Sequence, residues 1–315
     1  MHIPDGFLDA KTCLGTACIA GAGLAWVGRG VTARWSERTV PLMGVMSAFV
    51  FAGQMVNFPV AGGTSGHLLG GVLAAVLLGP AAGAMALSTV LVVQCLFFQD
   101  GGLTALGANV MNLSLVGVLG GYGSYRLFRR FMPGNRGVAI SAAMAAWVSV
   151  VLASAACACE LAASGTVPLR LVLPAMTVTH MIIGIGEALI TASVVAFVLK
   201  VRPDLLYEET GPAAVHSWKA VAATGTAVAL GTALLLAPLA STQPDGLEHL
   251  AALLGFEHKA IPVAAAPLAE YVFPWVRSPW VATALAGVTG TLLSLGVAWL
   301  IARGLARWLR RTRPS

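Results

Sequence analysis

The sequence predicts an all-α polytopic membrane protein of about nine transmembrane helices, seven and then two, with the N-terminus outside and the C-terminus cytoplasmic. Three observations predict it. Hydrophobic residues make up 57% of the chain and charged residues only 10%, where a water-soluble domain carries about a quarter charged residues; mean hydropathy is +0.83. Apolar runs of bilayer length recur from end to end. Lysine and arginine are shared very unequally between alternate loops.

A helix needs about 20 mostly apolar residues to cross a bilayer. The runs fall at 13–28, 40–56, 67–79, 82–98, 104–125, 137–163, 171–199, 219–238 and 280–302. The third is short for a lone crossing, which leaves a tilted, protein-buried or re-entrant element. Fifteen of the 19 basic residues lie in one set of loops: Arg29 to Arg38, Arg126 to Arg136, Lys200 to Lys219, and Arg303 to Arg313. Only Lys11, Arg170, Lys259 and Arg277 lie on the other side. The basic side is the cytoplasmic one, and the parity of nine crossings then requires the third run to cross.

The start MHIPDGFLDAKT lacks the basic-then-apolar pattern of a signal peptide, so it is expected to stay on the chain, polar and turn-like, in the outer compartment. Residues 1–205 form the first unit, 206–218 a cytoplasmic linker, and 219–315 a second unit of two helices around a long outer loop at 239–279. The net charge of +6 resides in short loops with no aromatic–basic stripe, which argues against nucleic acid. The five cysteines lie in or beside apolar runs and read as small packing residues. The chain has no G-x-x-x-x-G-K-[ST] loop, so ATP hydrolysis by that chemistry would fall to a partner.

His2 carries the most chemistry. Behind a free amino terminus, the Met1 amine, the deprotonated His2 amide and His2 Nδ1 can grip one cation in fused five- and six-membered rings. Such a planar nitrogen set suits Ni(II) or Cu(II), and it disfavours tetrahedral Zn(II) and the oxygen-seeking Mg(II) and Ca(II). Initiator methionine before a residue as large as histidine is ordinarily retained. Pro4 and Asp5-Gly6 would turn the chain just beyond the chelate. Position alone also fits an ordinary exposed terminal histidine. The best fourth ligand is His67, in NFPVAGGTSGHLLGG (57–71) on the same side as the N-terminus. Taken alone, it reads more readily as a helix-start residue facing headgroups. Asn57, Thr64 and Ser65 are placed to orient an imidazole, and Asp100 is a further polar candidate on the entry side.

His180 and Glu187 share one run, seven apart and so on one helix face. A carboxylate within a span is a functional-site hypothesis by default, with His180 as its expected partner. A structural hydrogen-bonding pair is the plainer reading; an acid–base pair in a membrane enzyme is the alternative, needing a substrate pocket and a further nucleophile or metal set. His216, His249 and His258 are placed in loops with no role.

MHIPDGFL, NFPVAGGTSGHLLGG, QDGGLTALGANVMN and HMIIGIGEALIT, in that order, resemble the CbiM/NikM family, the substrate-specific components of energy-coupling factor (ECF) transporters for cobalt and nickel. PDGLEHLAALLGFE (244–257) resembles the PDGLE domain of NikN-like auxiliary components, here fused behind the first unit. The resemblance implies a non-enzymatic transport subunit in a prokaryotic plasma (inner) membrane, surrounded by lipid. Its implied partners are ECF ATPase subunits and a transmembrane coupling (T) subunit. It further implies Met1, His2 and His67 as the metal-holding residues. Planarity and the PDGLE segment lean toward Ni(II) as substrate; Co(II) accepts the same nitrogens.

Overall fold

The computed structural model describes residues 1–33, 38–207 and 218–312. Most of the expected linker (208–217, with His216), Arg34 and Arg313 lie outside the described residues.

The first unit is a helical bundle. Asp9 starts α1 (Ala10–Ala33) by accepting the Thr12 N–H, the usual service of an N-cap carboxylate. α2 (Thr39–Gln54) leads into a small antiparallel hairpin, β1 (Phe58–Val60) and β2 (Thr64–Gly66), with Val60 opposite Thr64. Its turn runs through Gly62 and Gly63 at φ +88° and +78°, a left-handed region that favours glycine. The third apolar run yields only the eight-residue α3 (Gly71–Leu78), about 12 Å long. α4 (Pro80–Val93), opened by Pro80 at its first turn, continues through a wider π turn to Phe98. α5 (Leu106–Asn109) continues through a π-type stretch into α6 (Gly121–Arg129). α7 (Gly134–Ala163) and α8 (Leu169–Val201) form the longest hairpin.

α3 fits between neighbours because the backbones approach closely. A Cβ on Gly83 of α4 would lie 3.0 Å from the Ala74 carbonyl carbon. The third run therefore begins beside His67 and ends where Val76 accepts the Tyr207 N–H at the far end of the bundle. There Arg38 bonds the Asp204 carbonyl and Arg202 grips the Asp204 carboxylate. The run is thus a short helix preceded by non-helical chain rather than a full-length helix.

In the second unit α9 (Trp218–Gly231) and α11 (Pro279–Thr312) pack on α2. The expected outer loop at 239–279 instead contains α10 (Gly246–Leu254), and His249 lies in that helix rather than in a loop. Six helices among the described residues are long and apolar enough to cross a membrane, at 10–29, 80–98, 134–163, 169–201, 218–239 and 279–308; 39–54 is shorter. Phe51, Phe98, Leu73, Leu87 and Leu91 form the core, while Leu14, Trp26, Val178, Leu189 and Leu300 point outward, as in a bundle solvated by lipid. Small polar side chains join helices inside, as where Ser88 donates to Ser114 at 2.8 Å and Ser149 to the Gly117 carbonyl at 2.8 Å. Of the cysteines, Cys95 and Cys157 pack inside and Cys13 partly so; Cys18 and Cys159 lie on the outward face, so they are not core packing residues.

Candidate metal site

Residues 1–8 fold into the bundle instead of lying over it: Met1 is 4%, His2 8% and Ile3 0% exposed. Hydrogen bonds thread the segment in place. Ile3 N–H donates to Asn109 Oδ1 at 2.8 Å, and its carbonyl accepts from Asn109 Nδ2 at 3.0 Å and Gly102 N–H at 2.8 Å. Asp5 accepts from the N–H and hydroxyl of Thr104 and the Val263 N–H. Burial alone would raise the Asp5 pKa, but these donors outweigh it and hold the carboxyl below its ordinary value. Gly6, at φ +88°, makes the expected turn.

His67 follows β2 directly. Its Nδ1 lies 3.0 Å from the Leu68 carbonyl, an acceptor only, so Nδ1 carries the proton and Nε2 presents a lone pair. That Nε2 is 2.8 Å from the Met1 nitrogen. The His2 ring lies parallel to that of His67, centroids 5.4 Å apart. His2 Nδ1 is 2.9 Å from Asp100 Oδ1, and Asp100 Oδ2 accepts from the Tyr271 hydroxyl. The Met1 ammonium donates to Asp245 Oδ2 at 2.6 Å. Burial opposes ionisation of Asp100 and Asp245. His2 beside the first, and the amine and His67 beside the second, overcome this and hold both carboxyls well below the usual range. A cavity of about 520 Å³ opens here, lined by His2, His67, Gln54, Asn57, Asp100 and Asp245. Among the described residues no hydrogen bond engages the His2 main-chain N–H. Nor do three His, Cys, Asp or Glu side chains gather as a metal cluster among them; the converging nitrogens belong to two imidazoles and the main chain.

The expected supporting residues divide. Asp100 stands at the site. Asn57 lines the cavity, and its carbonyl accepts the Ser241 N–H at 2.8 Å. Thr64 and Ser65 hold no imidazole: their hydroxyls donate to the carbonyls of Gln243 and Pro244, tying β2 to the second unit. Glu187 and His180 are not partners. Glu187 accepts the N–H groups of Leu69 at 2.6 Å and Gly70 at 2.9 Å, while His180 Nδ1 lies 2.8 Å from the Met176 carbonyl. The acid–base pair is therefore not assembled: both Glu187 oxygens and His180 Nδ1 are bonded to main chain, and not to each other. Gln54, held in turn by Gln94, donates to the Leu69 carbonyl at 2.9 Å. The turn after His67 is thus fixed from two helices.

Sequence reasoning missed Asp245, Tyr271, Asn109 and Glu160. Asp245-x-x-Glu248 ahead of an apolar run is a capping-box signature, which could have placed a carboxylate on the same side as Met1. Glu160, buried in α7 and accepting from Asn112 Nδ2 at 2.6 Å, was readable as an acidic residue in an apolar run. Tyr271 carried no sequence signal.

Comparison with known proteins bears on all of this. Residues 2–205 match the family model for the cobalt uptake substrate-specific transmembrane region, CbiM, and residues 219–307 match the PDGLE domain. A protein of Archaeoglobus fulgidus carrying the name of a fused nickel transport protein, NikMN, is 37% identical over 96% of this chain and 98% of its own. A cobalt transport protein CbiM of Sorangium cellulosum is 32% identical over 65% of this chain and 94% of its own. The crystal structure of a truncated transition metal transporter superposes with a TM-score of 0.58 at 34% identity, covering 64% of this chain and 99% of that one.

Proposed function

The chain belongs to the CbiM family of cobalt uptake substrate-specific transmembrane regions, with a PDGLE domain fused behind it, and from that premise we propose that it captures Ni(II), with Co(II) the alternative, as the substrate-specific subunit of an ECF transporter. Its relatives are nickel and cobalt transport proteins by name. In this reading Met1, His2 and His67 hold the ion on the outer face of a prokaryotic plasma membrane. ATP is hydrolysed by separate ATPase subunits, and a transmembrane coupling subunit moves this one so that the ion is released inward.

One observation carries the reading: the 2.8 Å separation of the Met1 nitrogen and His67 Nε2, with the latter's lone pair facing the former. A metal–nitrogen bond of about 2 Å puts adjacent corners of a square about 2.8 Å apart. A cation replacing the shared ammonium proton would sit to one side of the line between the two nitrogens, bonded to both. The His2 amide and Nδ1 would complete the plane, with Nδ1 turning from Asp100 to the ion. Binding releases a proton from the amine and another from the amide, so affinity falls steeply in acid, by up to about 100-fold per pH unit.

Equilibrium Ni(II) binding with an absorption spectrum tests this. A yellow-orange, diamagnetic complex is expected from four planar nitrogens; a pale, paramagnetic one would refute the plane. Intact mass must show an unblocked Met1. In proteoliposomes, uptake should require ATP and both kinds of partner; uptake by this chain alone would overturn the coupling scheme.

A further inference from the structure

The second unit reaches the site with one carboxylate, and everything around that carboxylate fixes its aim. Asp245 Oδ2 lies 2.6 Å from the Met1 nitrogen. Its other oxygen accepts the N–H groups of Leu247 at 2.8 Å and Glu248 at 2.9 Å, and the Glu248 carboxylate returns to the Asp245 N–H at 3.0 Å. The side chain therefore has one orientation, set by the start of α10. The main chain ahead of it is tied to the strand ahead of His67: Ser65 N–H donates to the Pro244 carbonyl at 2.8 Å, and Ser65 Oγ to the Gln243 carbonyl at 2.8 Å. Gly246 lets α10 sit directly on α8, since a Cβ there would lie 2.9 Å from the His180 ring. The Asp245 carboxylate and the His67 imidazole thus stand on neighbouring, cross-bonded stretches of chain, with the Met1 amine between them.

We propose that Asp245, supplied by the second unit, is the positioning residue for the Met1 amine. It aims the amine at His67 before an ion arrives and keeps accepting one of its N–H groups afterwards. The chemistry allows both states. An amine that gives its lone pair to a cation retains two N–H bonds, so a carboxylate can hold one of them while the lone pair points at the metal. Held this way, the amine needs no search for its binding geometry, and the negative charge behind it strengthens the donor. This inference rests on the chelate reading above.

Asp245→Asn separates the two duties of the side chain. Asparagine caps helices as well as aspartate, so the bonds to Leu247 and Glu248 persist. Its amide NH2, however, replaces the oxygen that accepts from Met1. Ni(II) titration of the full chain in detergent should show a Kd weakened about 10–100-fold, with the wild-type spectrum regained at saturation because the four nitrogens remain. Glu248→Gln, which alters the cap but leaves the Asp245 carboxylate, should change Kd less than about threefold. Should Asp245→Asn fail to give a monodisperse protein, Asp245→Glu decides: with an acceptor retained, it is expected to bind within about tenfold of wild type, and weaker binding counts against the proposal. A wild-type Kd in Asp245→Asn, an equal loss in Glu248→Gln, or a changed spectrum at saturation would each overturn the positioning role while leaving the chelate standing. A wild-type complex without the four-nitrogen spectrum would remove the chelate itself, and this role with it.

Discussion

Two histidine-bearing clusters lie within the bundle, and the sequence flags both. Where Met1 and His2 meet His67, the Met1 nitrogen faces His67 Nε2, and the Asp245 and Asp100 carboxylates bond the Met1 amine and His2 Nδ1. On α8, His180 and Glu187 share a helix face, yet each is bonded to main chain rather than to the other. The difference lies in what the polar atoms face: the Met1 amine meets His67 Nε2 and the Asp245 carboxylate beside a cavity, whereas Glu187 is spent on the Leu69 and Gly70 N–H groups and His180 Nδ1 on a carbonyl of its own helix. A buried ionisable group within a span is thus no more a site than its unspent valences make it, and Glu187 serves the His67 site from behind by fixing the Leu69–Gly70 turn.

Substitutions sharpen this contrast. The largest effect is expected from His2→Ala, which removes a chelate arm: Ni(II) affinity should drop at least about a thousandfold, roughly 4 kcal/mol, and the planar spectrum should vanish in a titration followed by absorbance. His67→Ala comes next. The three chelate nitrogens remain, so a loss of about 100-fold is expected, near 3 kcal/mol, with a shifted band rather than none; an unshifted band would name another fourth ligand. Glu187→Gln tests service from behind. A neutral amide cannot accept from both N–H groups, so about 1–3 kcal/mol of stability and about tenfold in affinity should be lost, read by thermal unfolding and Ni(II) titration. Smallest of all, His180→Ala should leave Ni(II) affinity within about twofold while lowering stability by about 1–2 kcal/mol. A large affinity loss there would blur the contrast and make α8 part of the site.

The apolar runs, the breaks between them and the one-sided arginines were legible because each rests on composition within a short window. His2 stood out because a second-position imidazole can form its own chelate, whereas His67, which taken alone reads as a helix-start residue, was singled out by its side of the chain's spans and by the family resemblance. What stayed hidden is long-range. Nothing in YVFPW marks Tyr271 as the donor to Asp100, and nothing near Thr64 and Ser65 reveals that their hydroxyls bind a segment about 180 residues away. The third run, read as short for a lone crossing, is an eight-residue helix preceded by non-helical chain and packed closely against Gly83, a close approach that composition alone does not show.

The Met1–Asp245 bond joins positions 244 residues apart, which sets an order of events during synthesis. At about 5–20 residues per second, the nascent chain's leading end waits tens of seconds for the carboxylate that will receive it. By then the earlier helices have had time to leave the translocation machinery. The beginning of the polypeptide is therefore among the last parts to be docked, and a formyl group left on its nitrogen would remove the charge and donors by which that nitrogen is held between His67 and Asp245.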